Sequence, residues 1–284
     1  MLSFWNIVTG RTFYTIVFSL MVLVGLGGLV GNGLVLWLLG FRVKRNPFSV
    51  YVLHLAGADF LFLGCQTVFA ILTFTRGHQQ LYLVITFLWF TIGLGLMVAL
   101  SLEQCLSVLF PKWSGCRPKH ASACACALVW ALSLPLVLVP SHACGLLTGG
   151  SSFLTCFRYQ VANIICMFLL FSVLCVSNFI LLVRVQCCSQ NGQKPPFYGF
   201  ILQMAPLFFF CGLPFLTYWA LKNTISFIAS FFSFFLSIAE LLACVNSSTK
   251  PAIYFFNAKH RQELQRAWPR RGNRRLTEAL EMRA

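Results

Sequence analysis

Long apolar runs, separated by short segments that carry most of the charges, are the dominant pattern along the chain. A helix needs about 20 apolar residues to cross ~30 Å of hydrocarbon. Seven stretches are long enough, and they predict spans at 13–40, 48–75, 82–109, 121–143, 157–184, 198–221 and 226–256. The length and continuity of these runs favour helices over a barrel. The pattern therefore predicts an all-α membrane protein, a bundle of seven transmembrane helices.

The basic residues are unevenly divided between the two sets of connecting segments. One set, which includes the segment after the seventh span, holds 16 Lys and Arg residues, whereas the other holds four. Because cytoplasmic loops are enriched in Lys and Arg, residues 1–12 are predicted to be extracellular, 13–256 to form the membrane domain and 257–284 to be a cytoplasmic tail. Leu264 and Trp268, four residues apart among basic neighbours, predict a short amphipathic helix on the inner leaflet.

Composition narrows the class of protein. The chain has 284 residues, of which 58% are hydrophobic and 10% charged, with a net charge of +15. Soluble domains carry about 25% charged residues, so a soluble enzyme, a disordered chain and a small disulfide scaffold are excluded. The positive charge mostly reflects which segments face the cytoplasm. Membrane lipid is therefore an expected partner, and nucleic acid is not. Asp59 is the only Asp, which argues against a paired-Asp protease; no enzyme activity, metal or cofactor is predicted.

Polar residues within the spans are informative because each is costly in lipid. They include five residues expected to converge near the middle of the bilayer: Asn32, Asp59, Asn246, Lys250 and Tyr254. With Trp130 and the Gly212-Leu213-Pro214 sequence, this set resembles that of a rhodopsin-type G-protein-coupled receptor. Finer motifs resemble the Mas-related receptor family and lie at 37–42, 46–51, 55–63, 103–108, 130–134, 211–215 and 246–248. The short tail and the Glu103-Gln104-Cys105 variant most resemble an orphan member of that family.

The resemblance implies a plasma-membrane receptor that binds an unidentified extracellular ligand and signals to a heterotrimeric G protein, in sensory neurons concerned with nociception. The alternative is a protein of receptor fold that no longer signals and serves as a scaffold or trafficking partner. Gln104 and Lys250 keep that alternative open, because both depart from the usual receptor pattern. A transporter or channel would need a hydrated polar path, which the sparse polar residues do not favour.

Lys250 is the most unusual residue of the central set. In related receptors its position is usually Asn, and the resemblance implies that the Asp helps to hold a sodium ion. An isolated buried charge costs several kcal/mol, which a nearby opposite charge offsets. We therefore predict that Lys250 pairs with Asp59 and replaces the sodium; the alternative is that Lys250 reaches toward the membrane surface.

Two further departures concern signalling. Glu103-Gln104-Cys105 lies where the family resemblance implies an acid followed by an Arg that faces the G protein. Gln104 cannot act as a cation, so coupling is either carried by other contacts or weakened. Gly212 occupies the position of a switch Trp, which leaves room for neighbouring aromatic residues, and Pro214 predicts a kinked hinge.

The cysteines and the ligand end follow from the same resemblance. Mas-related receptors can bridge spans four and five, and Cys144 and Cys156 match those positions; such a loop stabilises by roughly 3 kcal/mol. Cys187 and Cys188 could carry palmitate, although a plain helix end is the simpler interpretation.

Acids that bind cationic ligands in some relatives are replaced here by Pro140 and Gln160. Glu240 is the remaining carboxylate toward the outside. Either it binds an amine or it pairs with Lys222 or Arg158. The ligand candidates are Glu240, Gln160, Trp89, Tyr159 and Trp219.

Overall fold

A computed structural model gives the three-dimensional structure. It describes residues 2–42, 46–72, 79–110, 118, 120–147, 152–187, 198–222 and 229–257. The side chains that it describes are those of the same residues other than 2–11, 79–80, 185, 187, 198, 221–222 and 229–233. The predicted amphipathic helix with Leu264 and Trp268 lies outside these ranges.

Seven helical rods make up the described part of the chain, and no strand occurs in it. They are α1 (Leu2–Trp37, continued by a π-helical turn at Leu38–Arg42), α2 (Pro47–Leu72), α3 (Gln79–Leu109), α4 (Ala121–Ala143), α5 (Phe153–Cys187), α6 (Tyr198–Leu207, a π-helical turn at Phe208–Gly212, then Leu213–Lys222) and α7 (Ala229–Phe256). The predicted seven-helix bundle is confirmed. The predicted span ends agree with the helix ends within four residues, except that α1 already begins at Leu2.

Six helices, α1 to α6, are long and apolar enough to cross a membrane within the described ranges. The seventh, α7, is less apolar because it carries Glu240, Asn246 and Lys250 along its length. It packs against α1, α2 and α6, so these polar residues lie in the bundle instead of facing lipid. Burial in protein is what makes such residues tolerable at membrane depth.

The bundle is arranged around α3. In the most apolar stretch of α3, 78% of the residues are buried, compared with 22% in α1 and in α4. Large apolar side chains point outward from the peripheral helices, as Leu132 on α4 and Phe168 on α5 do. This arrangement suits a chain whose outer surface meets hydrocarbon and whose central helix is mostly covered by the other helices.

Small side chains let α1 approach α2 and α7 closely. A Cβ at Gly28 would collide with Ser248 of α7 and with Leu63 of α2. Ser248 uses the close approach to donate a hydrogen bond to the Val24 carbonyl of α1, at 3.0 Å. Close backbone approach at small residues is a common way to join helices in membranes.

The two ends of the bundle are distinguished by a disulfide. Cys144 follows α4 and is bonded to Cys156 in the first turn of α5, with their Cα atoms 4.5 Å apart. The chain turns here after Ala143, and Gly145 adopts a positive φ of 71°. Pro135 and Pro140 lie inside α4 and do not end it. We call this the disulfide end, and the end with Asn46, Phe110 and Asn257 the opposite end.

Candidate functional site

A buried ion pair joins α2 to α7 near the middle of the bundle. Lys250 Nζ lies 2.8 Å from Asp59 Oδ1, and each side chain is only 5% exposed. The predicted contact between Lys250 and Asp59 is therefore present. Each charge would be costly without the other, because water is not available at this depth to solvate it.

The other central polar residues surround this pair. Asn32 Nδ2 on α1 donates to the Gly28 carbonyl at 2.9 Å and to the Ser247 carbonyl of α7 at 3.3 Å. Asn246 is 1% exposed, and its Oδ1 has no hydrogen-bond partner among the described residues. The result is that α1, α2 and α7 are joined by buried polar contacts.

Little space remains beside the ion pair. Asn32, Asp59, Lys250, Phe200 and Tyr254 all line a cavity of about 10 Å³. Tyr254 is 1% exposed, and its ring meets that of Phe200 edge-on at 6.2 Å. A cavity of this size has room for about one water molecule. The ammonium group of Lys250 thus lies in a space that has no room for a hydrated ion as well.

Packed aromatic rings connect the centre of the bundle with the disulfide end; we call them the aromatic cluster. Phe215 of α6 contacts the rings of Phe62, Phe87 and Phe90 at centroid distances of 6.0, 6.1 and 5.1 Å. Phe87 also stacks on Trp219 at 4.1 Å. Offset and edge-on ring pairs add stability beyond that of the apolar area they bury. The packing of these rings therefore helps to hold α2, α3 and α6 together.

Gly212 lies beside Phe208, which packs on Phe90 of the aromatic cluster. A Cβ at Gly212 would lie 2.6 Å from Cδ2 of Phe208, closer than any real contact allows. Phe208 stacks on Phe90 at 5.7 Å and packs on Phe171 of α5 at 6.1 Å. The Phe208 ring therefore fills the space that a larger residue at 212 would need, in line with the room that the sequence predicts.

The irregular part of α6 begins before Pro214. The Leu213 amide donates to the Phe208 carbonyl, which is the i to i−5 pattern of a π-helical turn. Pro214 has no amide hydrogen to continue the ordinary ladder. The predicted break at Pro214 thus extends back over one whole turn, and Gly212 ends that turn.

Glu240 is buried near the disulfide end, at 3% exposure. Its neighbours include Tyr82 of α3, Tyr218 of α6 and Cys244 one turn along α7. Tyr82 donates a hydrogen bond to Gln66 of α2, and its ring stacks on Phe69 at 3.5 Å. Glu240 therefore lies in a region where polar and aromatic side chains of α2, α3, α6 and α7 are found together.

The remaining ligand candidates do not gather at one point. Gln160 Nε2 of α5 donates to the carbonyls of Trp219 and Ala220 of α6, at 3.1 and 3.3 Å. Trp89 instead faces Trp130 of α4, at 5.9 Å. Tyr159 is 44% exposed on the outer surface of α5. The candidates thus occupy four different places.

Two residues beside Glu240 were missed by the sequence prediction. Gln66 is an uncharged polar residue in an otherwise apolar span, and the rule that polar groups in spans are costly would have drawn attention to it. Tyr82 carried no such signal, because aromatic residues are abundant in every span. Lys222, proposed as a partner of Glu240, lies outside the described side chains.

Comparison with known proteins places the chain in a family. No family model matches it. It is 52% identical over 246 residues to Mas-related G-protein coupled receptor member G of Homo sapiens, which covers 86% of this chain and 84% of the relative. It is 42% identical to the Mus musculus member G, over 91% and 89%, and 41% identical to the Homo sapiens member E, over 86% and 80%. The chain belongs to the Mas-related G-protein-coupled receptor family. It is therefore a multi-pass plasma-membrane receptor, and its relatives are receptors and not enzymes.

For a Mas-related receptor, the opposite end of α3 is the departure of most interest. Glu103 and Cys105 are buried, and Gln104 is half-buried. Glu103 lies near Cys126 of α4, and its carbonyl accepts a hydrogen bond from Ser107 at 2.8 Å. Gln104 is the most accessible of the three, and it brings no positive charge to this end of the receptor.

The disulfide predicted from the family resemblance is also confirmed in this Mas-related receptor. It connects the ends of α4 and α5, where the receptor has only a short link between the two helices. Cys187 and Cys188, the candidates for palmitate, lie outside the described side chains.

Proposed function

We propose that this Mas-related receptor has its disulfide end outside the cell and its tail in the cytoplasm. Residues 1–12 are then extracellular, 13–256 form the membrane domain and 257–284 are cytoplasmic. The 16 basic residues on the side opposite the disulfide end support this orientation. The bond between Cys144 and Cys156 supports it independently, because disulfides persist in oxidising compartments.

Its ligand is proposed to be a cationic amine or peptide that reaches Glu240 from outside. The observation that carries this proposal is the burial of Glu240 in a region that also holds Tyr82 and Tyr218, since a carboxylate near aromatic rings is a suitable partner for a desolvated cation.

The test is a screen of amines and cationic peptides with G-protein dissociation as the readout. For an agonist found in this way, Glu240→Gln is expected to lower potency at least tenfold. Tyr159→Phe is the matched control, because Tyr159 faces outward and its loss should leave potency unchanged. An unchanged potency in Glu240→Gln would leave Glu240 as a structural residue paired within the protein.

Signalling is proposed to pass through α6 to a heterotrimeric G protein at the Glu103-Gln104-Cys105 region. The π-helical turn and Gly212 support this, because they provide a place where α6 can change direction at low cost. The family resemblance adds sensory neurons and nociception as the expected setting.

The second candidate is a protein of receptor fold that does not signal. Gln104, which cannot supply a cation, and the ion pair that already joins α2 to α7 favour it. Basal G-protein dissociation, measured over a range of expression levels for wild type and Gln104→Arg, separates the two. A signal that rises with wild-type expression supports the receptor. Silence in wild type with a signal in Gln104→Arg supports the scaffold.

Lys250 is proposed to stand in place of the sodium ion of related receptors. The 10 Å³ cavity beside the ion pair supports this, since a sodium ion and its ligands need more room. The midpoint of thermal unfolding is therefore expected to be the same in sodium chloride and in choline chloride. A selective stabilisation by sodium in the purified wild type would contradict the proposal.

A further inference from the structure

A cavity of about 210 Å³ separates α5 from the last segment of α6. Its lining includes Asn163, Phe168 and Phe171 of α5 and Leu213, Thr217 and Trp219 of α6. An apolar cavity of roughly 150 Å³ is already enough to hold a benzene ring. This space is therefore large enough for part of a ligand.

The cavity opens toward the membrane. Phe168, at 67% exposure, and Thr217 lie on the outer surface of the bundle, whereas Met167 and Leu216 are buried behind them. The lining carries no charged side chain. An occupant therefore enters between α5 and α6 from the hydrocarbon side, and it is apolar over most of its length.

The depth of the cavity matches the outer part of a leaflet. Trp219 and Ala220 lie in the last turn of α6, which ends at Lys222, and Leu213 is about 10 Å deeper at 1.5 Å per residue. The polar groups lie at the shallow end, and Phe171 and Leu213 form the deep end. This order, polar near the interface and apolar below it, is that of a lipid ester and its acyl chain.

Trp219 closes the inner wall of the shallow end. It is 3% exposed, and its ring stacks on Phe87 of α3 at 4.1 Å, so this wall is fixed by the packing of the core. On the side of α5, Asn163 is held in place, because its Nδ2 donates to the Leu136 carbonyl of α4 at 2.9 Å.

We propose that this cavity binds one acyl chain of a membrane glycerolipid. The chain extends past Thr217 and Phe168 to Phe171 and Leu213. The site is separate from Glu240 of α7, which lies near Tyr82 of α3.

The deep end of the site lies next to the irregular turn of α6. Phe171 contacts Phe208 and Phe209 at 6.1 and 6.2 Å, and Phe208 fills the space beside Gly212. A chain held against Phe171 favours the present spacing of α5 and α6. This regulatory consequence rests on the proposed signalling function, whereas lipid binding itself does not.

The binding test uses the full-length receptor in nanodiscs of phosphatidylcholine that carries a diazirine in its acyl chain near the ester. After irradiation, labelled residues are mapped by mass spectrometry. Labelling is expected at 163–171 and 213–220, at least fivefold above that of the lipid-facing residue Leu132 of α4, and it should fall as unlabelled lysophosphatidylcholine is added. Labelling no stronger than at Leu132, or no competition, would overturn the proposal.

Two variants sharpen the result. Thr217→Trp fills the mouth of the cavity and is expected to reduce labelling of 163–171 at least fivefold. Leu169→Trp adds the same ring to an exposed position of α5 outside the lining and should leave labelling unchanged.

Signalling is measured separately in the same variants. If lipid supports the present α5–α6 spacing, Thr217→Trp changes G-protein dissociation whereas Leu169→Trp does not. Loss of labelling without a change in dissociation would overturn the regulatory consequence and leave the binding site standing.

Discussion

The contact between α2 and α7 and the contact between α5 and α6 are built in opposite ways. At the first, a buried ion pair with a 2.8 Å separation lies beside a cavity of only 10 Å³. At the second, an amide-to-carbonyl bond from Gln160 closes the shallow end, and a cavity of about 210 Å³ lies below it.

This difference indicates where the bundle can change shape. Separating α2 from α7 would leave two buried charges without their partners, which costs several kcal/mol. Separating α5 from α6 would break hydrogen bonds worth about 0.6 kcal/mol each in a membrane. The last segment of α6 packs mainly on α7 and only lightly on α5. We therefore expect α6 to move relative to α5 while α7 stays with α2.

The largest effect is expected from breaking the ion pair. Lys250→Met leaves the Asp59 carboxylate buried without its cation, which should lower the free energy of unfolding by about 3–5 kcal/mol. Unfolding of the purified receptor in mixed micelles of rising SDS fraction, followed by far-UV circular dichroism, measures this loss. Asp59→Asn combined with Lys250→Met should recover most of it, because no charge then remains. A double variant less stable than either single one would contradict a direct pairing.

The second largest effect is expected from removing the disulfide, which joins α4 to α5. Replacing both Cys144 and Cys156 by Ser should cost about 3 kcal/mol, since α5 then loses its covalent link to α4. The same unfolding measurement applies. Cys124→Ser with Cys166→Ser is the matched control, because these exposed cysteines lie on the same two helices and are not bonded. A similar loss in both pairs would point to an effect of thiol removal in general.

Crowding the turn of α6 should have a smaller effect. Gly212→Ala places a Cβ against the Phe208 ring, and overpacking of this kind costs about 1–3 kcal/mol. Phe208→Leu in the same chain should relieve the clash. Gly27→Ala serves as the control, since a Cβ there meets nothing within 4 Å and only improves helix propensity. If Gly212→Ala proves as stable as Gly27→Ala, the Phe208 ring can move aside without strain.

The smallest effect is expected at the shallow end of the α5–α6 contact. Gln160→Leu removes the bonds to the Trp219 and Ala220 carbonyls and should lower the free energy of unfolding by about 0.6–1.7 kcal/mol. Ser172→Ala, which removes an exposed local bond on α5, provides the baseline. A loss in Gln160→Leu as large as that in Lys250→Met would remove the contrast between the two contacts.

The features that were predictable from sequence depend on composition and on unpaired charge. Continuous apolar runs determine where helices cross the membrane. Two buried opposite charges stabilise each other when they pair, as Asp59 and Lys250 do. The disulfide was predicted from the family resemblance, which implies the pairing of these two cysteines.

Other features depend on packing, which a single sequence does not state. The π-helical turn reflects the fit of Phe208 against Gly212 and Phe90, and no local motif announces it. Pro214 predicted where α6 becomes irregular but not how many residues the irregular turn includes. The scatter of the ligand candidates has the same origin, because helix rotation decides whether Trp89 or Tyr82 turns toward Glu240.

The attachment of Lys250 to α7 has a consequence for how the receptor responds to its surroundings. An ion taken from solution is present in a fraction of molecules that follows its concentration, and it exchanges continually. An ammonium group on the chain is present once in every folded molecule and has no dissociation constant. Under the proposed replacement of sodium by Lys250, the occupancy of this position is thus fixed at synthesis and does not follow the salt concentration around the receptor.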